Sequence, residues 1–148
     1  MKSQPNESMT LEAQLRCERE CARLCNDFMW TVDTGDYDGC VALFAEQGAI
    51  ERAGQVNRGH AGVRAFLIAR PEGRVTRHTC SNIRIDLTSA TTASGTSCAT
   101  MFHAQAKRDD PLPLKGSTPL FAEYFDDYVL TAKGWKISHR SIVVVFQP

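Results

Sequence analysis

Residues 120–146 read LFAEYFDDYVLTAKGWKISHRSIVVVF, and this stretch decides the fold class. Leu120–Thr131 and Trp135–Phe146 are two long runs rich in β-branched and aromatic residues, joined by a short link that contains Lys133-Gly134. So short a link makes the two runs antiparallel neighbours, because a parallel pair needs a crossover of about a dozen residues or more. The last part, Ile142-Val143-Val144-Val145-Phe146, is apolar at both parities. A strand with one solvated face alternates, so this one is expected to be covered twice, by helices on one side and by a second copy of the chain on the other.

Working upstream, Thr76–Leu87 and Thr91–Ala106 have the same character. Thr88-Ser89-Ala90 links them, and a Pro/Gly loop from Asp109 to Pro119 leads on to Leu120. The four runs predict an antiparallel meander. The first third of the chain reads differently. From Leu11 to Thr34, Leu11, Leu15, Ala22, Cys25, Phe28, Met29 and Val32 recur at three- and four-residue steps, the stripe of an amphipathic helix. Thr10 suits its N-cap, Glu12 its positive end and Gly35 its stop. Asp36 then caps a second helix, Tyr37–Phe44, with Val41 and Phe44 inward. Ala49–Arg52 and Gln55–Arg58 around Gly54 predict a short hairpin, and Gly59–Arg70 a third helix with Val63, Phe66 and Leu67 on one side, stopped by Pro71. Helices first and strands after give an α+β domain: a cone-shaped, curled, mixed or antiparallel sheet with three N-terminal helices enclosing a pocket. Residues 10–148 are expected to form that single domain behind a flexible polar segment, 1–9.

Composition narrows the function. The 148 residues are 43% hydrophobic and 23% charged, ordinary for a globular chain. Lys plus Arg is 17 and Asp plus Glu is 17. Without a basic excess, and with Lys107-Arg108-Asp109-Asp110 neutralising itself, a nucleic-acid partner is not expected. No run approaches the ~20 apolar residues that span a bilayer, and the N-terminus lacks the apolar core of a signal peptide. The expected compartment is the cytoplasm, without a membrane role. Cys17, Cys21 and Cys25 fall on one helical stripe. Metal sites favour C-x-x-C pairs on turns, so these cysteines are expected to be reduced core residues. Nucleotide and zinc-hydrolase motifs do not occur, and no metal or other cofactor is implied.

Several motifs resemble one known group. Thr31-Val32-Asp33-Thr34-Gly35-Asp36-Tyr37-Asp38, Leu43-Phe44-Ala45-Glu46 followed by Ala49-Ile50-Glu51, and Gly59 to Phe66 have the form of the helical half of SnoaL-like, nuclear-transport-factor-two-like proteins. Thr76-Arg77-His78 with Asn82, and Gly134-Trp135-Lys136-Ile137, have the form of their strands. The motifs come in the family's order over nearly the whole chain. The pattern is closest to scytalone dehydratase, bile-acid dehydratase and hexachlorocyclohexane dehydrochlorinase, cofactor-free lyases that share an Asp at the helix corner and a His on the first long strand. Asp33 and His78 match those positions. The resemblance implies that His78 acts as base and that Asp33 orients it. Where these lyases tend to carry a polar Tyr or Lys one turn before the Asp, this chain has Phe28-Met29.

The chemistry of such a pair suits proton abstraction beside a carbonyl. Neutral imidazole titrates at about 6.5, near the working pH, and a carboxylate on the far nitrogen fixes the tautomer and stabilises the imidazolium. Phe28, Met29, Val32 and Phe44 are expected to supply apolar wall. Tyr37, Tyr124, Asn82 and His139 are the polar candidates, the last because it shares parity with Trp135 and Ile137. Strand phase stays open around His78: Ile83, Ile85 and Leu87 have the opposite parity, so either they point outward or a bulge intervenes. The expected function is that of a cofactor-free lyase or isomerase, dehydratase-like, acting on a hydrophobic cyclic small molecule as a homodimer. The rivals are a non-catalytic ligand-binding domain and a structural subunit resembling the small subunit of ring-hydroxylating dioxygenases.

Overall fold

The stripe from Leu11 to Val32 forms α1, Leu11–Thr34, in the computed structural model, which describes residues 9–107, 109–116 and 118–148. Most of the segment expected to be flexible, residues 1–8, lies outside the described residues. The Thr10 hydroxyl accepts the Ala13 N–H at 3.2 Å, and Gly35 ends the helix in the left-handed region at φ 74°, where a side chain would be strained. Asp36 caps α2, Tyr37–Ala42, by accepting the Gly39 N–H at 2.9 Å. The chain continues as β1 (Phe44–Arg52), β2 (Gln55–Arg58), α3 (Gly59–Ile68), β3 (Arg74–Leu87), β4 (Thr92–Gln105), β5 (Leu120–Thr131) and β6 (Gly134–Phe146).

These strands make one curled, unclosed sheet in the order β2-β1-β6-β5-β4-β3, antiparallel except where β1 runs parallel to β6. The fold is α+β with N-terminal helices packed on a mixed sheet, as expected. Among the described residues, no helix is long and apolar enough to cross a membrane. Two helix ends differ from expectation. Phe44 belongs to β1, paired with Ile137, because an inward aromatic ring is served as well by a strand as by a last helical turn. Gly48 permits the approach: a Cβ there would lie 2.7 Å from the Ile137 carbonyl. At the other helix, α3 stops at Ile68, short of Arg70, since the residue before a proline disfavours the helical region.

The core lies between α1 and the concave face of the sheet. Cys17, Cys21, Leu24, Cys25, Phe28 and Val32 of α1 meet Ile50, Ala99, Tyr124, Tyr128, Trp135 and Ile137. All six cysteines are free, and Cys17, Cys21, Cys25 and Cys40 are fully buried. Burial pushes the Cys17, Cys21 and Cys40 thiols up, so they stay protonated and act as small apolar fillers.

Two of the sheet's irregularities, each of one residue, set which side chains face that core. In β3 the pairing with β4 shifts between Ser81 and Arg84, and Asn82 takes φ +50°. Thr76, His78 and Cys80 face inward before this bulge. Ile83, Ile85 and Leu87 also pack on the core after it. The bulge therefore settles the phase question, and it turns Asn82 out to solvent. In β6 the pairing with β5 shifts between Tyr128↔Ile137 and Asp127↔His139. Beyond it Arg140, Ile142 and Val144 face inward, while Val143 and Val145 are exposed.

The bulge makes a testable demand on Asn82. Asparagine tolerates the left-handed region, whereas a β-branched residue there is strained by about 1–3 kcal/mol. Asn82→Val should lower the urea-unfolding free energy by roughly that amount, and Asn82→Gly should change it by less than about 0.5 kcal/mol. Equal losses in the two variants would contradict the geometry.

Candidate active site

Asp33 sits in the last turn of α1, and its carboxylate faces β3. The His78 backbone N–H donates to Oδ2 at 2.7 Å, and the ring Nδ1 lies 2.6 Å from Oδ1. The Thr76 hydroxyl donates to Oδ1 at 2.8 Å. Behind it, Arg70 donates through Nη2 to Thr76 Oγ1 at 2.7 Å and through Nη1 to the Val32 carbonyl at 2.9 Å. A carboxylate only accepts, so Nδ1 carries the hydrogen, and in the neutral ring the lone pair then falls on Nε2. Nε2 makes no hydrogen bond among the described residues. Burial alone would raise the Asp33 pKa. The hydrogen bonds from the His78 ring and backbone, the attraction of His78 and the Thr76 hydroxyl outweigh it and hold the carboxyl below its ordinary 3.8.

His78 forms part of the wall of a cavity of about 440 Å³ inside the sheet's curl, a volume suited to a small organic ligand. Phe28 and Val32 of α1, Met101 of β4 and Ile142 and Val144 of β6 supply apolar wall. Tyr124 adds a polar group. Burial pushes its phenol up to about 12, so it is a donor at neutral pH. On the other side of the dyad lies a shallower groove lined by Asp27, Met29, Trp30, Asp33 and Cys80, and His78 reaches both spaces. The pair thus stands in the partition between cavity and exterior, each side chain 9% exposed.

The structure brings His78, Phe28, Val32 and Tyr124 together at this cavity, with Asp33 behind His78 on the groove side. Five other candidates lie elsewhere. Met29 is buried in the core on the groove side, and Phe44 packs edge-on behind Phe28, with centroids 6.2 Å apart. Tyr37 is half-buried against the core at the α1–α2 corner. Asn82 is exposed at the β3 bulge. His139 is turned outward by the β6 bulge, where its Nε2 lies 3.2 Å from Glu51 Oε2 and it borders a groove on the convex face. Its expected place goes to Arg140. Among the described residues, no group of three His, Cys, Asp or Glu side chains is arranged to hold a metal ion.

Arg140 is the residue that sequence reasoning missed. It is fully buried and forks onto Asp126, Nε to Oδ1 at 2.8 Å and Nη2 to Oδ2 at 2.6 Å. Its guanidinium carbon lies 4.4 Å from the Phe28 ring centroid and 5.0 Å from that of Tyr124, so it supports two cavity residues from behind. Burial works against the charge, but the Asp126 carboxylate outweighs that and keeps Arg140 protonated. The Tyr128 hydroxyl donates to Asp126 Oδ2 at 2.8 Å. One signal was available: Asp126 shares parity with Tyr124 and Tyr128, and a carboxylate on a core face needs a cation.

Comparison with known proteins places the chain in a family and a fold. Residues 13–141 match the SnoaL-like domain family. Among solved structures, the chain is similar to a scytalone dehydratase-like protein of Novosphingobium aromaticivorans, with 25% identity and a TM-score of 0.76 over 93% of this chain and 89% of that one. It shares its fold with a hexachlorocyclohexane dehydrochlorinase of Novosphingobium barchaimii, with 16% identity and a TM-score of 0.79 over 93% and 92%. It also shares it with a cystatin-like protein of unknown function from Nostoc punctiforme, with 24% identity and a TM-score of 0.67 over 92% and 93%. No functionally curated protein matches the chain by sequence.

The lowered Asp33 pKa fixes a pH dependence. A carboxyl depressed in the folded state adds stability above its unfolded pKa, and that contribution is lost as pH falls through the folded value. Wild type should therefore exceed Asp33→Asn in urea-unfolding free energy above about pH 5, with the gap closing progressively below about pH 4. A gap independent of pH would show that Asp33 is not held as an anion.

Proposed function

The chain belongs to the SnoaL-like domain family, and we propose that it is a cofactor-free lyase or isomerase, dehydratase-like in chemistry, acting in the cytoplasm on a hydrophobic cyclic small molecule. The family and the scytalone dehydratase-like neighbour support a lyase-like or ligand-binding role. One observation favours catalysis: the 2.6 Å contact between His78 Nδ1 and Asp33, made in the wall of an apolar cavity, leaves Nε2 as the open basic nitrogen.

In this reading Nε2 takes a proton from a carbon beside a carbonyl, the C–H electron pair forms the enolate C=C bond, and the carbonyl π pair moves to oxygen. The Tyr124 phenol hydrogen-bonds that oxygen as charge develops. Asp33, held anionic, stabilises the imidazolium. In elimination, a hydroxyl on the next carbon departs with the proton from His78 as water. In isomerisation, the imidazolium returns the proton to a different carbon. A positioned base of this kind contributes about 10²–10⁴-fold.

The test is solvent exchange. With 2-tetralone as a cyclic probe in deuterium oxide, wild type should accelerate loss of the acidic C–H signal in NMR spectra. His78→Gln should reduce the enzymatic rate by about 10²-fold or more, and Asp33→Asn should lower kcat with little change in KM. Exchange unaffected by His78→Gln would overturn the reading. A cavity that binds the probe without accelerating exchange would replace it with a binding module.

We propose further that the protein is a homodimer joined through the convex sheet face. Phe102, Phe125, Val143 and Val145 are all exposed there, one from β4, one from β5 and two from β6. Stable interfaces bury about 1,200–2,000 Å² in total. Light scattering at micromolar concentration should give the dimer mass for wild type and the monomer mass for Val143→Lys. A wild-type monomer would contradict the assembly.

A further inference from the structure

The mouth of the cavity has a one-sided charge. Among the described residues that line it, three are arginines, Arg52, Arg70 and Arg74, and none is a carboxylate. In a chain with 17 basic and 17 acidic residues this is a local asymmetry. Asp33, the dyad's acid, borders the groove on the other side of His78 and is not part of the cavity wall.

The three arginines are not equivalent. Arg70, between α3 and β3, is engaged with Thr76 and the Val32 carbonyl. Arg52 ends β1 and Arg74 opens β3, and neither takes part in an ion pair among the described residues. Arg74 is half-buried and Arg52 is exposed. Arg52 and Tyr124 both line the cavity. Gln55 and Asn57 of β2 add amide donors to the same rim. The inner wall, by contrast, is Phe28, Met101, Ile142 and Val144.

We infer that the ligand of this cavity is amphipathic, with an apolar body beside His78 and an oxyanion head group, carboxylate or phosphate, held at the mouth by Arg52 and Arg74. The inference rests on the cavity being the small-molecule site and names the class of molecule it takes. Guanidinium forks match the oxygen pairs of such head groups, and a guanidinium is less hydrated than an ammonium, so Arg suits this role better than Lys. The head group is an anchor and not the activator. A carbanion next to a carboxylate would place two negative charges side by side, so the C–H facing His78 must be activated by a different group deeper in the cavity.

Binding of three naphthalene probes tests this by calorimetry at about pH 8, above the ordinary imidazole range. The probes are 2-naphthoate, 2-naphthyl phosphate and the uncharged 2-naphthamide. One of the two anions should bind wild type at least about tenfold more tightly than the amide, and the tighter one identifies the head group. In Arg52→Gln/Arg74→Gln the preference should fall below about threefold, with amide affinity unchanged. In His78→Gln it should persist, which separates this inference from the catalytic reading: a preference kept without base-dependent exchange sinks only the latter. Equal or tighter amide binding, a preference that survives the double variant, or no binding by any probe would overturn the inference.

Discussion

Three donors converge on the Asp33 carboxylate: the His78 backbone N–H, the His78 ring and the Thr76 hydroxyl. Hydrogen bonds to a charged group contribute about 1.5–3 kcal/mol each, and a carboxylate this enclosed would be costly without them. The same contacts tie the last turn of α1 to the start of β3, while Arg70 clamps Val32 and Thr76 from behind. Helix placement and imidazole orientation therefore have one cause. A residue that fixes the base also fixes how far α1 reaches into the curl of the sheet, and so the depth of the cavity.

A second anchor sits deeper. The Asp126–Arg140 pair has no exposed side-chain surface. Such pairs add little net stability, because desolvation offsets most of their attraction, yet removing one partner costs about 3–5 kcal/mol. Here the pair backs Phe28 and Tyr124, whose rings also meet edge-on at 6.3 Å. With its guanidinium fixed by two hydrogen bonds, the wall behind these rings cannot collapse inward. The apolar space beside His78 is thus held open by a polar device outside it, and the partition is rigid on both sides of the base.

The sequence was most legible where periodicity alone decides. The boundaries of α1 and β5 coincide with the expected ones, since Thr10, Gly35 and the turn residues punctuate uninterrupted patterns. Asp33 and His78 lie in contact because His78 precedes the bulge in β3 and keeps the inward parity of Thr76. What could not be read was the effect of a single extra residue: a one-residue slip sends every later side chain to the opposite face. The opposite parities of His78 and Ile83 leave a bulge in β3 as one of two options, whereas nothing around Ser138 announces the one in β6. Parity alone therefore puts Asn82 and His139 inward and leaves Arg140 on the other face of its strand. Phe44 shows a different ambiguity, in that an apolar residue at a helix–strand junction satisfies the core from either element.

The claim on which the chemistry depends is that Asp33 leaves His78 with a bare Nε2. Nitrogen-15 NMR of the imidazole at a pH where the ring is neutral measures this directly. The expected result is the tautomer protonated at Nδ1, with a strongly hydrogen-bonded Nδ1–H that shifts in Asp33→Asn. A neutral ring protonated at Nε2, or a His78 spectrum unchanged by Asp33→Asn, would contradict it.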